Sequence, residues 1–411
     1  MIDDPAAPPS AADLGLMQGT PPPPERLVTL DNWLRAPYNR WSLQHVDEVV
    51  PTARVRGGAG VWHLPSSDRA GLNGVTFEVD GGAWTLEDWL VDSCTDGLVI
   101  LHRGQVVWER YLNGMEPDSL HLAFSVTKSV VATVAGILVG RGLLDPAVAV
   151  VEVLPELAGT SWEGATVRDA LDMRTGTRFA EIYQDVGGDT DMFARSIGWH
   201  PRGAPGVPAD TYAFLATLEA DRPHGGAFDY RTPLTSLLGW LCERATGARL
   251  PELLSRALWA PMGAEHDARI AVDAVGNAFA GGGFCASLRD LARFGELWRR
   301  RGEGPNGRVI PEAWVADTWA GGPDSREAFA ARETDEPDVD HPHAFYRNKW
   351  WVLDPPGGLM SAIGIHGQWV TVVEPAELVV VRVASEPVAD DVAEERRYLA
   401  AVAAIAGAVA E

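Results

Sequence analysis

The chain has 411 residues, enough for two packed units or for one large domain with an insertion, and its 46% hydrophobic and 22% charged residues suit a soluble enzyme. A formal net charge of -23 would repel phosphate backbones and anionic lipids, and only the short WRRRG at Trp298–Gly302 interrupts that field, so neither nucleic acid nor a membrane is an expected partner. No stretch approaches the roughly 18 consecutive apolar residues that would cross a bilayer.

The start, MIDDPAAPPSAAD, has neither the basic head nor the apolar core of a secretion signal, which gives the expectation of a cytoplasmic protein. Cys94, Cys242 and Cys285 are odd in number and far apart, with no CxxC pair, and read as buried free thiols in a reducing compartment. Residues 1–26, with their PPPP run, read as a flexible arm.

Next, LVILHRGQVVWERYL at Leu98–Leu112 shows two β-rich runs joined by Arg103-Gly104, the pattern of a hairpin. Helical periodicity then predicts helices over Ser125–Gly142, Val167–Met173, Asp210–Ala220, Pro233–Thr246, Leu250–Trp259 and Leu288–Arg301. Strand patterns return in FYRNKWWVL, MSAIGIHGQWVTVV and ELVVVRVAS, before a last helix at Asp390–Val409. The expected fold is α/β, an α+β sandwich: an antiparallel sheet flanked by helices and built from both chain ends, 27–150 and 266–411, with an inserted all-helical domain at 151–265.

The chain holds only two lysines, Lys128 and Lys349. Lys128 stands three residues after Ser125, at the head of the apolar run VVATVAGILVG, so both side chains share one face of a buried helix. Serine is a weak nucleophile until its proton is taken, and burial disfavours an ammonium, whereas a guanidinium stays charged. The S-x-x-K spacing therefore points to an activated serine; the competing reading is an N-cap serine with a snorkelling lysine. Lys349, with no nucleophile at a useful spacing, is expected to be structural. His341 and His343 in DHPHAF have metal-ligand chemistry, but Pro342 and the acidic surroundings favour a surface turn; no metal and no cofactor is expected.

These residues, together with LDNWLRAPYNRWSLQHVDEVVPTARV, VLPELAGT, DMRTGT, PADTYAFLATL, GGGFCASLRDLARFGELW and AIGIHGQ, resemble the serine β-lactamase and penicillin-recognising superfamily in its class C and esterase branch, and more narrowly its 6-aminohexanoate-oligomer hydrolases. The resemblance runs from about Leu30 to Ser385. It implies a β-lactamase/transpeptidase-like fold and a serine hydrolase that passes through an acyl-enzyme, with Ser125 as nucleophile and Lys128 and Tyr230 moving protons. Tyr230 lies in FDYRTPL, where Thr232 replaces the amide or serine of the family's Y-x-N or Y-x-S. The resemblance further implies an oxyanion hole from the backbone N–H groups of Ser125 and Ile365, with Tyr183 and Trp199 as substrate-contacting residues and His366 as a substrate contact, a structural contact or an exposed histidine; Gly281, heading the run Gly281–Gly283, reads either as close backbone approach to a substrate or as a turn. Tyr183 and Trp199 belong to a polar stretch, 178–209, that reads as a mobile lid.

The third motif, AIGIHG, carries no lysine, which weighs against a substrate carboxylate and for small-molecule esters or linear amides. A β-lactamase or D-Ala-type peptidase and a non-catalytic acylating sensor module stay open as alternatives. So does a homodimer, which would have to bury an uncharged patch.

Overall fold

The computed structural model describes residues 8–67, 69–203, 205–332 and 342–410. The strands that position the site are β1 (Thr52–Val55), β2 (Thr95–His102), β3 (Gln105–Tyr111), β4 (His121–Leu122), β5 (Ala268–Ala271), β6 (Phe284–Ala286), β7 (Phe345–Arg347), β8 (Trp350–Asp354), β9 (Leu359–Gly364), β10 (Gln368–Val373) and β11 (Leu378–Ala384). The helices are α1 (Leu86–Asp92), α2 (Val126–Gly140), α3 (Asp189–Ser196), α4 (Pro233–Thr246), α5 (Leu288–Arg299) and α6 (Val392–Ala410).

Seven strands form one antiparallel sheet in the order β7-β8-β9-β10-β11-β2-β3, which unites the early hairpin with the late strands through the β11–β2 pairing. Its central strands are apolar on both faces. Successive side chains of a strand point to opposite sides, so Leu98, Ile100, Leu378 and Val380 pack on one face against Trp89 of α1 and Tyr398, Val402 and Ile405 of α6. Val99, Leu101, Val379, Val381 and Val383 pack on the other, against α2 and against Phe294 and Leu297 of α5. Two covered faces explain why these strands read as continuous Val/Leu/Ile runs and not as alternating ones. A smaller antiparallel sheet, β1-β5-β6-β4, lies beside the start of α2.

The α2 helix is apolar nearly all round, and every residue from Val126 to Leu138 is buried. Gly136 allows it to approach its neighbour: a Cβ there would stand 2.4 Å from the Trp314 ring. Polar positions on α2 are bonded inward, with Ser129 Oγ donating to Lys349 O at 2.6 Å and Trp298 Nε1 donating to Thr133 Oγ1 at 3.2 Å.

Several expectations are corrected. The described part of the proposed flexible arm, from residue 8, is held down: Leu16 is buried, Arg40 Nε donates to Pro9 O and Ala11 N donates to Asn113 Oδ1. Residues 1–7 lie outside the described residues. MSAIGIHGQWVTVV is not one strand but β9 and β10 around a turn at 365–367, where His366 and Gly367 have φ of 59° and 85°. The 178–209 segment contains α3 and is anchored by the buried Phe179, Phe193, Ile197 and Trp199, apolar residues that outweigh its polar composition. The predicted 210–220 helix is shorter, Thr211–Thr217. All three cysteines are free, but Cys94 is only half-buried.

Candidate active site

Ser125 is delivered by a constrained backbone. Ala123 N donates to Phe284 O at 2.8 Å, and Phe284 N donates to Thr127 Oγ1 at 3.0 Å, so the chain is pinned to β6 on both sides of the serine. Phe124, immediately before it, has φ of 41°, an uncommon conformation for a bulky residue. Ser125 occupies the N-cap of α2 without making a capping bond through its side chain.

The hydroxyl faces Lys128 instead. Lys128 Nζ lies 2.7 Å from Ser125 Oγ, donates to Gly281 O at 2.6 Å and stands 4.9 Å from the centroid of the Tyr230 ring. Burial pushes this amine down to about 7, with the Glu181 carboxylate opposing the shift. A neutral Lys128 keeps its lone pair for the serine proton while still donating to the Gly281 carbonyl. Gly281 thus sits at the site as the lysine's acceptor.

Burial holds the Tyr230 phenol above the ordinary tyrosine range, with the Ser125 side chain opposing the shift, so it stays protonated. Its ring stacks on Trp351 at 5.5 Å. The two groups beside the serine therefore differ in kind: an amine that can accept a proton and a phenol that can donate one.

The end of β9 closes in from the other side. A Cβ on Gly364 would lie 2.6 Å from Ala123 O and 2.9 Å from Ser125 N, and the next residue is the half-buried Ile365. Gly364→Ala is accordingly expected to push β9 away from the serine backbone and lower kcat/KM by about 100-fold, the typical cost of a misplacement near 1 Å. Ester turnover, compared with an unchanged far-UV spectrum, checks this.

The remaining sequence candidates divide. Tyr183 lies near Tyr230, and its hydroxyl donates to Glu181 Oε1 at 3.1 Å. Trp199 is buried against Trp33, Phe124 and Phe279, with ring centroids 5.0, 6.1 and 4.7 Å away, and its indole N–H has no hydrogen-bond partner among the described residues. It supports the backbone before Ser125 from behind. His366 is buried too, with Nδ1 2.7 Å from Glu386 O and its ring 5.3 Å from Phe124. Burial holds its imidazole below the ordinary histidine range.

Two residues escape a reading by sequence spacing. Glu181 accepts from Thr232 N at 2.8 Å and from the Thr232 hydroxyl, linking the 178–209 segment to the Tyr230 motif. Lys349 is 1% exposed, donates to Met173 Sδ at 3.0 Å and is pushed well down by burial and by Lys128. It sits with Asn348 in the β7–β8 turn, at φ of 63° and 50°. Both lysines of the chain therefore belong to one buried neighbourhood, and their rarity is the sequence signal that applied to each. His341 lies outside the described residues; among those described, no cluster of His, Cys, Asp or Glu could hold a metal ion.

A buried helix that begins at a serine and is seated against an antiparallel sheet, with a lysine one turn along and a tyrosine opposite, defines a class, and comparison with known proteins agrees. Residues 95–405 match the beta-lactamase family, and the chain belongs to that family of serine hydrolases. It is 39% identical over 360 residues to the 6-aminohexanoate-dimer hydrolase of Paenarthrobacter ureafaciens, covering 87% of this chain and 88% of that protein. A solved Bacillus anthracis structure, provisionally described as a 6-aminohexanoate-dimer hydrolase, superposes with a TM-score of 0.85 at 25% identity, covering 94% and 98% of the two chains. A family VIII carboxylesterase shares the fold, with a TM-score of 0.57 at 16% identity, covering 76% and 93%.

Proposed function

We propose that this protein hydrolyses small carboxylic esters and linear amides of the 6-aminohexanoate-dimer type through an acyl-enzyme on Ser125. The observation that carries the reading is the 2.7 Å approach of a buried Lys128 amine to Ser125 Oγ. Lys128 takes the hydroxyl proton as Oγ bonds to the substrate carbonyl carbon, and the oxyanion is held by the backbone N–H groups of Ser125 and Ile365. Collapse breaks the bond to the alcohol or amine, which leaves with a proton delivered through Tyr230 from the Lys128 ammonium. Water then attacks the acyl carbon, gives its proton to Lys128, and releases the acid as Ser125 regains its hydrogen.

The substrate class follows from the 39% identical relative and from the third motif. The motif AIGIHG holds no lysine to offer a β-lactam carboxylate, and His366, in the turn after β9, is engaged by Glu386 O and Phe124. Tyr183 and Gly281 complete the substrate surroundings, and the free thiols accord with work in a reducing, cytoplasmic setting.

The test is intact-protein mass spectrometry after brief exposure to a fluorophosphonate, followed by turnover of p-nitrophenyl esters and product analysis with 6-aminohexanoate dimer. One adduct, mapped to Ser125, with ester turnover is expected; dimer cleavage places amides within the range. No adduct and no turnover would end the reading, and rapid cephalosporin hydrolysis would replace it with the β-lactamase alternative.

A further inference from the structure

Glu181 is the carboxylate whose contacts run to both halves of the site. Its Oε2 accepts from Thr232 N at 2.8 Å, and its Oε1 accepts from the hydroxyls of Thr232 and, at 3.1 Å, Tyr183. Thr232 follows Tyr230 by two residues and is the N-cap of α4, where its own side chain makes no capping bond. The hydroxyl is thus committed to Glu181 and not to its helix. No lysine or arginine is paired with this carboxylate among the described residues, although it is half-buried. Its charge bears on Lys128, Tyr230 and Tyr183 together.

We propose that Glu181 is a positioning residue of the acyl-transfer site, clamping the 178–209 segment to the Tyr230 motif through Thr232 and presenting a negative charge to Lys128. The inference rests on the hydrolase reading above. The groups facing Lys128 come from several elements: Ser125 on its own helix, Tyr230 before α4, Glu181 from the 178–209 segment, with Tyr183 bonded to it, and Lys349 from the β7–β8 turn. Behind these, Asp390 acts on Tyr230 and Tyr183, and Asp172 acts on Lys349. Among them Glu181 is the one that favours the protonated amine directly.

Two variants separate clamp from charge. Glu181→Gln removes the charge; the Lys128 amine then holds its proton less well, and the acid limb of kcat/KM for a p-nitrophenyl ester moves to lower pH. Thr232→Val keeps the charge and removes one donor; kcat falls about 10-fold with the acid limb in place. A readout independent of turnover accompanies them. A buried amine whose folded-state value lies below its unfolded one loses stability as pH falls from the unfolded value to the folded one and no further below it, so lowering the folded value extends the loss to lower pH. The thermal midpoint of Glu181→Gln therefore drops away from the parent's as pH falls through about 7. If the gap opens while the parent turns over no ester, the hydrolase reading fails and the charge that Glu181 presents to Lys128 stands. Superimposed pH profiles with parallel midpoint curves would overturn the inference about Glu181.

Discussion

Lys128→Arg is expected to lower kcat/KM for p-nitrophenyl esters by about 10³ to 10⁴, the upper range for loss of a general base. The parent rate should rise with pH through about 7, as Lys128 loses its proton and becomes able to take one from Ser125. A guanidinium stays charged over that whole range, so the limb should vanish together with the rate. The arginine also places a permanent charge where its neighbours are Ser125 Oγ, the Gly281 carbonyl, a tyrosine ring and Lys349, which the half-buried Glu181 carboxylate offsets only in part, and some stability should go with it. Lys128→Met provides the control: uncharged and similar in length, it should fold at least as well as the parent and be as inactive. A methionine variant with substantial activity would remove Lys128 from the mechanism.

The second large effect is Ser125→Ala, for which turnover should fall by about 10⁴ to 10⁶, as when the nucleophile is removed from comparable sites. Here stability and activity separate for a structural reason. An N-cap serine replaced by alanine commonly costs about 1 kcal/mol because a capping bond is lost, but the Ser125 side chain makes none. The variant should keep a thermal midpoint within a few degrees of the parent and give no fluorophosphonate adduct by mass spectrometry. An adduct persisting on another residue would relocate the nucleophile.

The serine and the lysine were legible because both facts that join them are local: a spacing of three on a helix, and the apolar run that buries that helix. The β2–β3 hairpin was legible for the same kind of reason, since Arg103 and Gly104 both take positive φ in its two-residue turn. The short strands β1, β5 and β6 were not, because three or four residues carry too little alternation to announce a strand. Glu181 and Thr232 are 51 residues apart, and no periodicity links a loop carboxylate to a helix cap on another element. Lys349 reads as structural from sequence and its contacts with Met173 and Ser129 are of that kind, but its nearness to Lys128 arises only when the β7–β8 turn packs against α2. The 178–209 segment misled through composition, its charged residues concealing the four aromatic and aliphatic anchors that fix it.

The placement of the two lysines has a practical consequence for labelling. Each is 1% exposed, so the folded surface offers reagents no side-chain amine at all. Succinimidyl esters and lysine-specific proteases, which act indiscriminately on the surfaces of most proteins, can reach these side chains only when the region around α2 opens. Mass increments at Lys128 and Lys349 would then count opening events around α2, with no surface lysine to compete for the reagent.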